Sequence, residues 1–197
     1  SKDDAVVLFF SGHGQTVKAG NRDIGYLLPQ DAMVRFENRT NPAPYREFCV
    51  PMETLRSDAE NIPARHVLFL VDACYSGFVA ARALDAPADV VSALKYSARQ
   101  VITAGTSGEQ AVEDGAWGHG AFTFKLLEIL TTETDPLQAS KLGVWLKERV
   151  PREVKARRPD KTLTPQAKYL SGEGDFIFLR PGTRLSGANG TNRAGTV

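Results

Sequence analysis

Two short segments place a thiol and an imidazole among glycines. Ser11-Gly12-His13-Gly14 closes the apolar run 5–10, and Asp72-Ala73-Cys74-Tyr75-Ser76-Gly77 closes the apolar run 66–71. A thiol is a strong nucleophile once ionised, and an imidazole can take its proton and later hand one to a leaving amine. Glycines on both sides of His13, and Ser76-Gly77 after Cys74, keep side-chain bulk low enough for an extended backbone to approach. Together these residues are the minimum for acyl transfer by cysteine. Taken singly, each has a plainer reading: a lone cysteine at a strand end is commonly a small buried hydrophobe, and a lone histidine in a glycine-rich turn a solvated loop residue. Their pairing at equivalent strand ends is what favours chemistry. Cys49, between Phe48 and Val50, has no glycine turn or acidic neighbour and reads as a buried thiol. His66 opens a strand and His119 sits in a glycine-rich loop, so both are weaker bases than His13.

The elements that must hold this pair follow from periodicity. Runs 5–10, 66–71 and 100–104 are, after the opening His66 and Gln100, mostly apolar and rich in β-branched or aromatic residues, as fully buried strands of a parallel sheet would be. Between the first two, Met52, Leu55, Ala59 and Ile62 recur at helical spacing and predict a crossover helix over 51–61. Residues 121–130 predict a second helix and 137–150 a third, opened by Pro136. A last strand is expected at 175–179, with a weaker one at 167–170. Strands alternating with helices argue for an α/β layered fold, and a right-handed crossover puts His13 and Cys74 on one rim. Stretches 34–49, with Pro42 and Pro44, and 85–97, with Pro87, read as long loops.

Composition limits the function classes. The 197 residues, 42% of them hydrophobic, suffice for one core and one domain. With 24 Lys+Arg against 23 Asp+Glu, the net charge of +1 gives no general attraction to nucleic acid or an anionic membrane. No apolar run approaches the ~20 residues that span a bilayer. Two cysteines are too few for a disulfide framework, so a reducing, cytoplasmic setting is expected.

These motifs, in this order, resemble the caspase-like cysteine peptidases, specifically the metacaspase, paracaspase and bacterial branch. Further matches are Gly25-Tyr26-Leu27-Leu28-Pro29-Gln30-Asp31, the run 103–114, Gly118-His119-Gly120-Ala121-Phe122-Thr123 and Thr164-Pro165-Gln166. The likeness covers roughly residues 5–179. It implies a three-layer αβα sandwich with a mostly parallel sheet, occupying 1–180; from Pro181 onward the sequence holds little that could be buried, so 181–197 reads as a flexible tail or linker. The likeness also implies two further strands ahead of the histidine strand, hence an amino-terminal fragment of the same protein as partner. Tyr75 stands where many metacaspases carry His, which shifts the branch and leaves the pair intact.

The resemblance further implies a Cys74–His13 dyad cutting after Arg or Lys, with the N–H groups of Cys74 and Gly14 as oxyanion hole. Asp72 would line the primary specificity pocket, beside Ser11. Two residues before the nucleophile on an alternating strand end, its carboxylate can face that pocket and take a guanidinium in bidentate geometry. The plainer reading of Asp72 is a cap or turn residue at the strand exit. A second acidic or polar group is expected from Glu109, Glu113 or Gln110, and Trp117 either walls the substrate or covers the core. Activation by processing implies a cut in the loop after the cysteine, at Arg82, Lys95 or Arg99. No cofactor is required. Calcium serves some metacaspases, but the acidic residues here form no alternating ligand loop. The competing function is a catalytically silent scaffold of the same fold, and a redox or metal protein is disfavoured because no second Cys or His cluster accompanies the pair.

Overall fold

Residues 66–71 form a strand buried along its whole length, as their composition requires. The structure, a computed structural model, describes residues 3–35, 39–73, 82–84, 89–106 and 108–183. In chain order its elements are β1 (Ala5–Ser11), β2 (His13–Ala19), β3 (Arg22–Leu28), α1 (Ala43–Phe48), β4 (Val50–Pro51), a 3-10 turn (Met52–Thr54), α2 (Leu55–Asn61), β5 (His66–Asp72), β6 (Arg82–Ala83) and α3 (Val90–Lys95). Then follow β7 (Ala98–Thr103), α4 (Ala121–Thr132), β8 (Leu137–Gln138), α5 (Ala139–Arg157), β9 (Gln166–Gly172) and β10 (Ile177–Phe178).

Every residue of β5 is buried, and its alternation explains the layers. Leu68 and Leu70 pack with Ile102 against Phe122, Leu126, Leu142 and Leu146 of α4 and α5. Val67, Phe69 and Val71 face the other way, onto Met52, Leu55 and Ala59. The sheet thus has helices on both faces, in strand order β1-β5-β7-β9-β6. β1, β5 and β7 run parallel, and β9 is antiparallel to β7.

Several expectations change. The weak strand at 167–170 is the seven-residue β9 of the main sheet, whereas 175–179 contracts to β10, paired only with β8. Asp175 and Phe176 are already committed: the Phe176 N–H donates to Gln100 Oε1 at 2.8 Å and Gln100 Nε2 donates to Asp175 at 2.7 Å. The third helix starts at Ala139 rather than 137 and runs through Pro151 to Arg157. Its start is set by Asp175, which accepts the Ser140 N–H and hydroxyl. Pro151 removes one helical hydrogen bond, but Val150 and Val154, both fully buried, anchor the helix on either side of it.

Neither long loop is structureless. Pro42 and Pro44 open α1, where a missing N–H costs nothing, and Asp89 caps α3 by accepting the Ser92 N–H at 2.8 Å. The hairpin β2–β3 escaped the periodicity reading. Its two-residue loop, Gly20-Asn21, has Gly20 at φ 65° and joins Ala19 directly opposite Arg22. Most of the expected tail, residues 184–197, lies outside the described residues. Among the described residues no helix is long and apolar enough to cross a membrane.

β1 departs most from expectation. It is an edge strand, with Val7 43%, Leu8 38% and Phe9 50% exposed rather than buried. Its pairing partner on one side is β5, and an apolar edge of this kind is adhesive. The chain is therefore expected to self-associate with rising concentration, and Phe9→Lys to weaken that association in sedimentation velocity. An unchanged distribution for a folded variant would count against edge pairing.

Candidate active site

The parallel register joins the two strand ends that carry the motifs. Ser11 lies directly opposite Asp72, and the Gly12 N–H donates to the Asp72 carbonyl at 3.0 Å. A cleft of about 530 Å³ opens beyond them, lined by Ser11, Gly12, His13, Asp72, Gln110, Ala111, Glu113 and Gly120. His13 opens β2 and is solvent-exposed, and Gly14 follows it, paired with Leu27. Cys74, one residue beyond Ala73, lies outside the described residues, as do Tyr75, Ser76 and Gly77.

Asp72 is only 4% exposed, yet it contributes to the cleft wall. Its Oδ2 accepts the Thr123 N–H at 3.2 Å and the Thr123 hydroxyl at 2.5 Å. Burial pushes its carboxyl above the usual carboxylate range, Glu113 adds to this, and the Thr123 bonds and His119 act against it.

The caspase-domain family model, of the C14 peptidases, matches residues 1–171. The chain belongs to the caspase-domain family. A search of curated proteins found no match. The matched span runs from β1 into β9 and includes both motifs, and the mixed, mostly parallel sheet with helices on both faces is a caspase-like fold. Membership carries a general chemistry, that of cysteine peptidases acting on protein substrates.

Within this caspase domain, the side chains expected around the cleft separate. Gln110 and Glu113 line it. Glu109 does not serve as a pocket acid: it accepts the Thr106 N–H at 2.7 Å, and the Thr164 N–H and hydroxyl at 2.9 and 2.8 Å. Burial would raise its carboxyl, but these bonds outweigh burial and hold it below the usual range. Glu109 is thus a brace between the loop after β7 and the segment leading into β9. Trp117 covers the core, buried, stacked on Phe124 and donating its indole N–H to Glu153 at 2.9 Å.

The two-oxygen fork expected of Asp72 is also corrected, because Thr123 already occupies Oδ2. The plainer reading of Asp72 as a cap holds in part, for a helix remote in sequence: Gly120, the N-cap of α4, has no side chain to offer, and Asp72 satisfies the first turn instead. The sequence signal was present in a glycine cap followed three residues later by a buried threonine, a helix start with no acceptor of its own.

Of the expected processing positions, Arg99 is inaccessible. It lies buried in β7 and donates to the carbonyls of Ala59, Arg65 and Ile62, so no protease can reach it in the folded chain. Lys95 is exposed but belongs to the last turn of α3 rather than to a loop. Arg82 lies in β6, paired with Tyr169. Cys49 is buried, and burial pushes its thiol up, away from the reactive thiolate. His66 is buried, its Nε2 3.0 Å from the Tyr96 carbonyl, and burial lowers its pKa. Among the described residues no three His, Cys, Asp or Glu side chains converge as a metal site.

Proposed function

We propose that this caspase domain is an endopeptidase that cleaves after Arg or Lys with Cys74 as nucleophile and His13 as acid and base. The observation that carries the reading is the cleft at the joined ends of β1 and β5, where His13 shares a wall with the carboxylates of Asp72 and Glu113. Two acidic side chains on one recess favour a cationic residue before the cut.

His13 takes the Cys74 proton, and the thiolate sulfur attacks the scissile carbonyl carbon. The N–H groups of Cys74 and Gly14 receive the oxyanion. Imidazolium returns the proton to the leaving amine, which departs and leaves a thioester. Water, deprotonated by His13, attacks that thioester and releases the acid product and the thiol. No resident cofactor enters any step. Activation by a cut between the two halves belongs to the same reading, at Arg82 or, after the last turn of α3 unwinds, at Lys95. The open edge of β1 then receives a strand from an amino-terminal part of the same protein.

Initial rates on matched peptides with Arg, Lys, Asp, Asn or Ala before the cut test this. Arg and Lys peptides are expected to be turned over fastest, with calcium present or chelated in parallel. A preference for Asp would overturn the pocket reading and leave the dyad standing, and inertness toward all five in the presence of the complete protein would favour a silent scaffold.

A further inference from the structure

We infer that Thr123 is a positioning residue for the specificity pocket: it holds Oδ2 of Asp72 with its N–H and hydroxyl and leaves Oδ1 to meet the substrate cation end-on. The inference rests on the proposed role of Asp72 as pocket acid. Two independent features converge on it. The first is donor geometry. A carboxylate oxygen has two lone pairs, and Oδ2 receives two hydrogen bonds, both from Thr123 at the third position of the twelve-residue α4. Among the described residues Oδ1 accepts none. The second is space. A Cβ on Gly120 would stand 2.7 Å from Oδ2, although Gly120, at φ −62° and ψ 153°, has a backbone any residue can adopt. The glycine therefore makes room for the carboxylate rather than for an unusual turn.

The consequence is a specific kind of recognition. A fork-to-fork pair needs one lone pair on each oxygen, and Oδ2 has none left. The pocket therefore offers a single oxygen from Asp72, and the remaining donors of a guanidinium or ammonium turn to Gln110 and Glu113, which line the same cleft. Arg and Lys are then held by similar contacts. The charged groups that act on Asp72 are Glu113, which favours its protonation, and His119, which opposes it, and the Thr123 bonds further favour the carboxylate.

Four variants test this on Arg and Lys peptides, each checked for a cooperative melt. Thr123→Val keeps the N–H and shape but removes the hydroxyl, which frees one lone pair on Oδ2. It is expected to raise the Arg-to-Lys ratio of kcat/KM by roughly three- to tenfold, and to move the acid limb of the profile upward by roughly half to one pH unit. Thr123→Ser restores the hydroxyl and is expected to return both readouts to the parent values. Gly120→Ala drives the carboxylate off its donors and is expected to raise KM for both peptides. A folded Thr123→Val protein with the parent's ratio and acid limb overturns the inference. An Asp72→Asn protein that keeps its preference for basic peptides overturns the pocket reading itself, and this inference with it.

Discussion

Replacing Cys74 with Ala is expected to lower kcat/KM on Arg and Lys peptides by roughly 10⁴-fold or more, in keeping with removal of the nucleophile from a covalent mechanism. The loss should fall on kcat, since the proposed pocket of Asp72 and Glu113 would be intact, and KM should stay within a few fold. That split matters because Cys49 is the other thiol in the chain. It is buried in the cluster of Tyr26 and Tyr45, with its thiol pushed up by burial, and it cannot substitute. Measured in single-turnover and steady-state assays, residual activity within tenfold of the parent would remove Cys74 from the mechanism.

Asp72→Asn is expected to cost roughly 10²- to 10³-fold in kcat/KM on basic peptides, the scale of deleting one partner of a desolvated charge pair. Peptides with Ala before the cut should change by less than about tenfold, because they never meet the carboxylate. The fold should survive. An Asn carbonyl can still accept from the Thr123 N–H and hydroxyl, so α4 keeps its first-turn acceptor and the melting temperature should move little. The same carboxyl predicts a pH dependence. Only its ionised form attracts a cation, and burial places its pKa above the usual carboxylate range. The rate on Arg and Lys peptides should therefore fall, as pH is lowered, earlier than an ordinary carboxylate would allow, and this limb should vanish in Asp72→Asn. Retention of the basic preference by the variant would refute the pocket.

How far the sequence could be read depended on whether the deciding interaction was local. The run 66–71 reads as a buried strand because Val67 to Val71 is apolar without a polar face to show water and stops at Asp72. The helix 121–130 followed from the same kind of argument and extends just two residues further. In contrast, β9 carries a mixed burial pattern, and its place in the main sheet comes from pairing with β7, which no window of neighbouring residues encodes. The Gly20-Asn21 turn joins a polar strand, His13–Ala19, to one that is apolar only in its second half, so no alternation spans the hairpin.

The sequence by itself determined the chemistry on offer: a cysteine and a histidine, each at the end of an apolar strand and each among glycines, with an aspartate two residues before the thiol. Only the tertiary structure decided which acids serve the cleft. Glu109 and Glu113 are four residues apart in one acidic loop, yet one is tied to Thr164 and the other lines the recess. Arg99 looked like a loop cation and is a buried donor to three carbonyls of the neighbouring crossover. Asp72 finds its hydroxyl partner 51 residues away, at the start of a helix whose own cap has no side chain. The physical reason is common to all three. Backbone conformation and strand ends follow from local propensity and burial pattern, but the partner of a polar side chain is set by which distant donors packing brings within 3 Å.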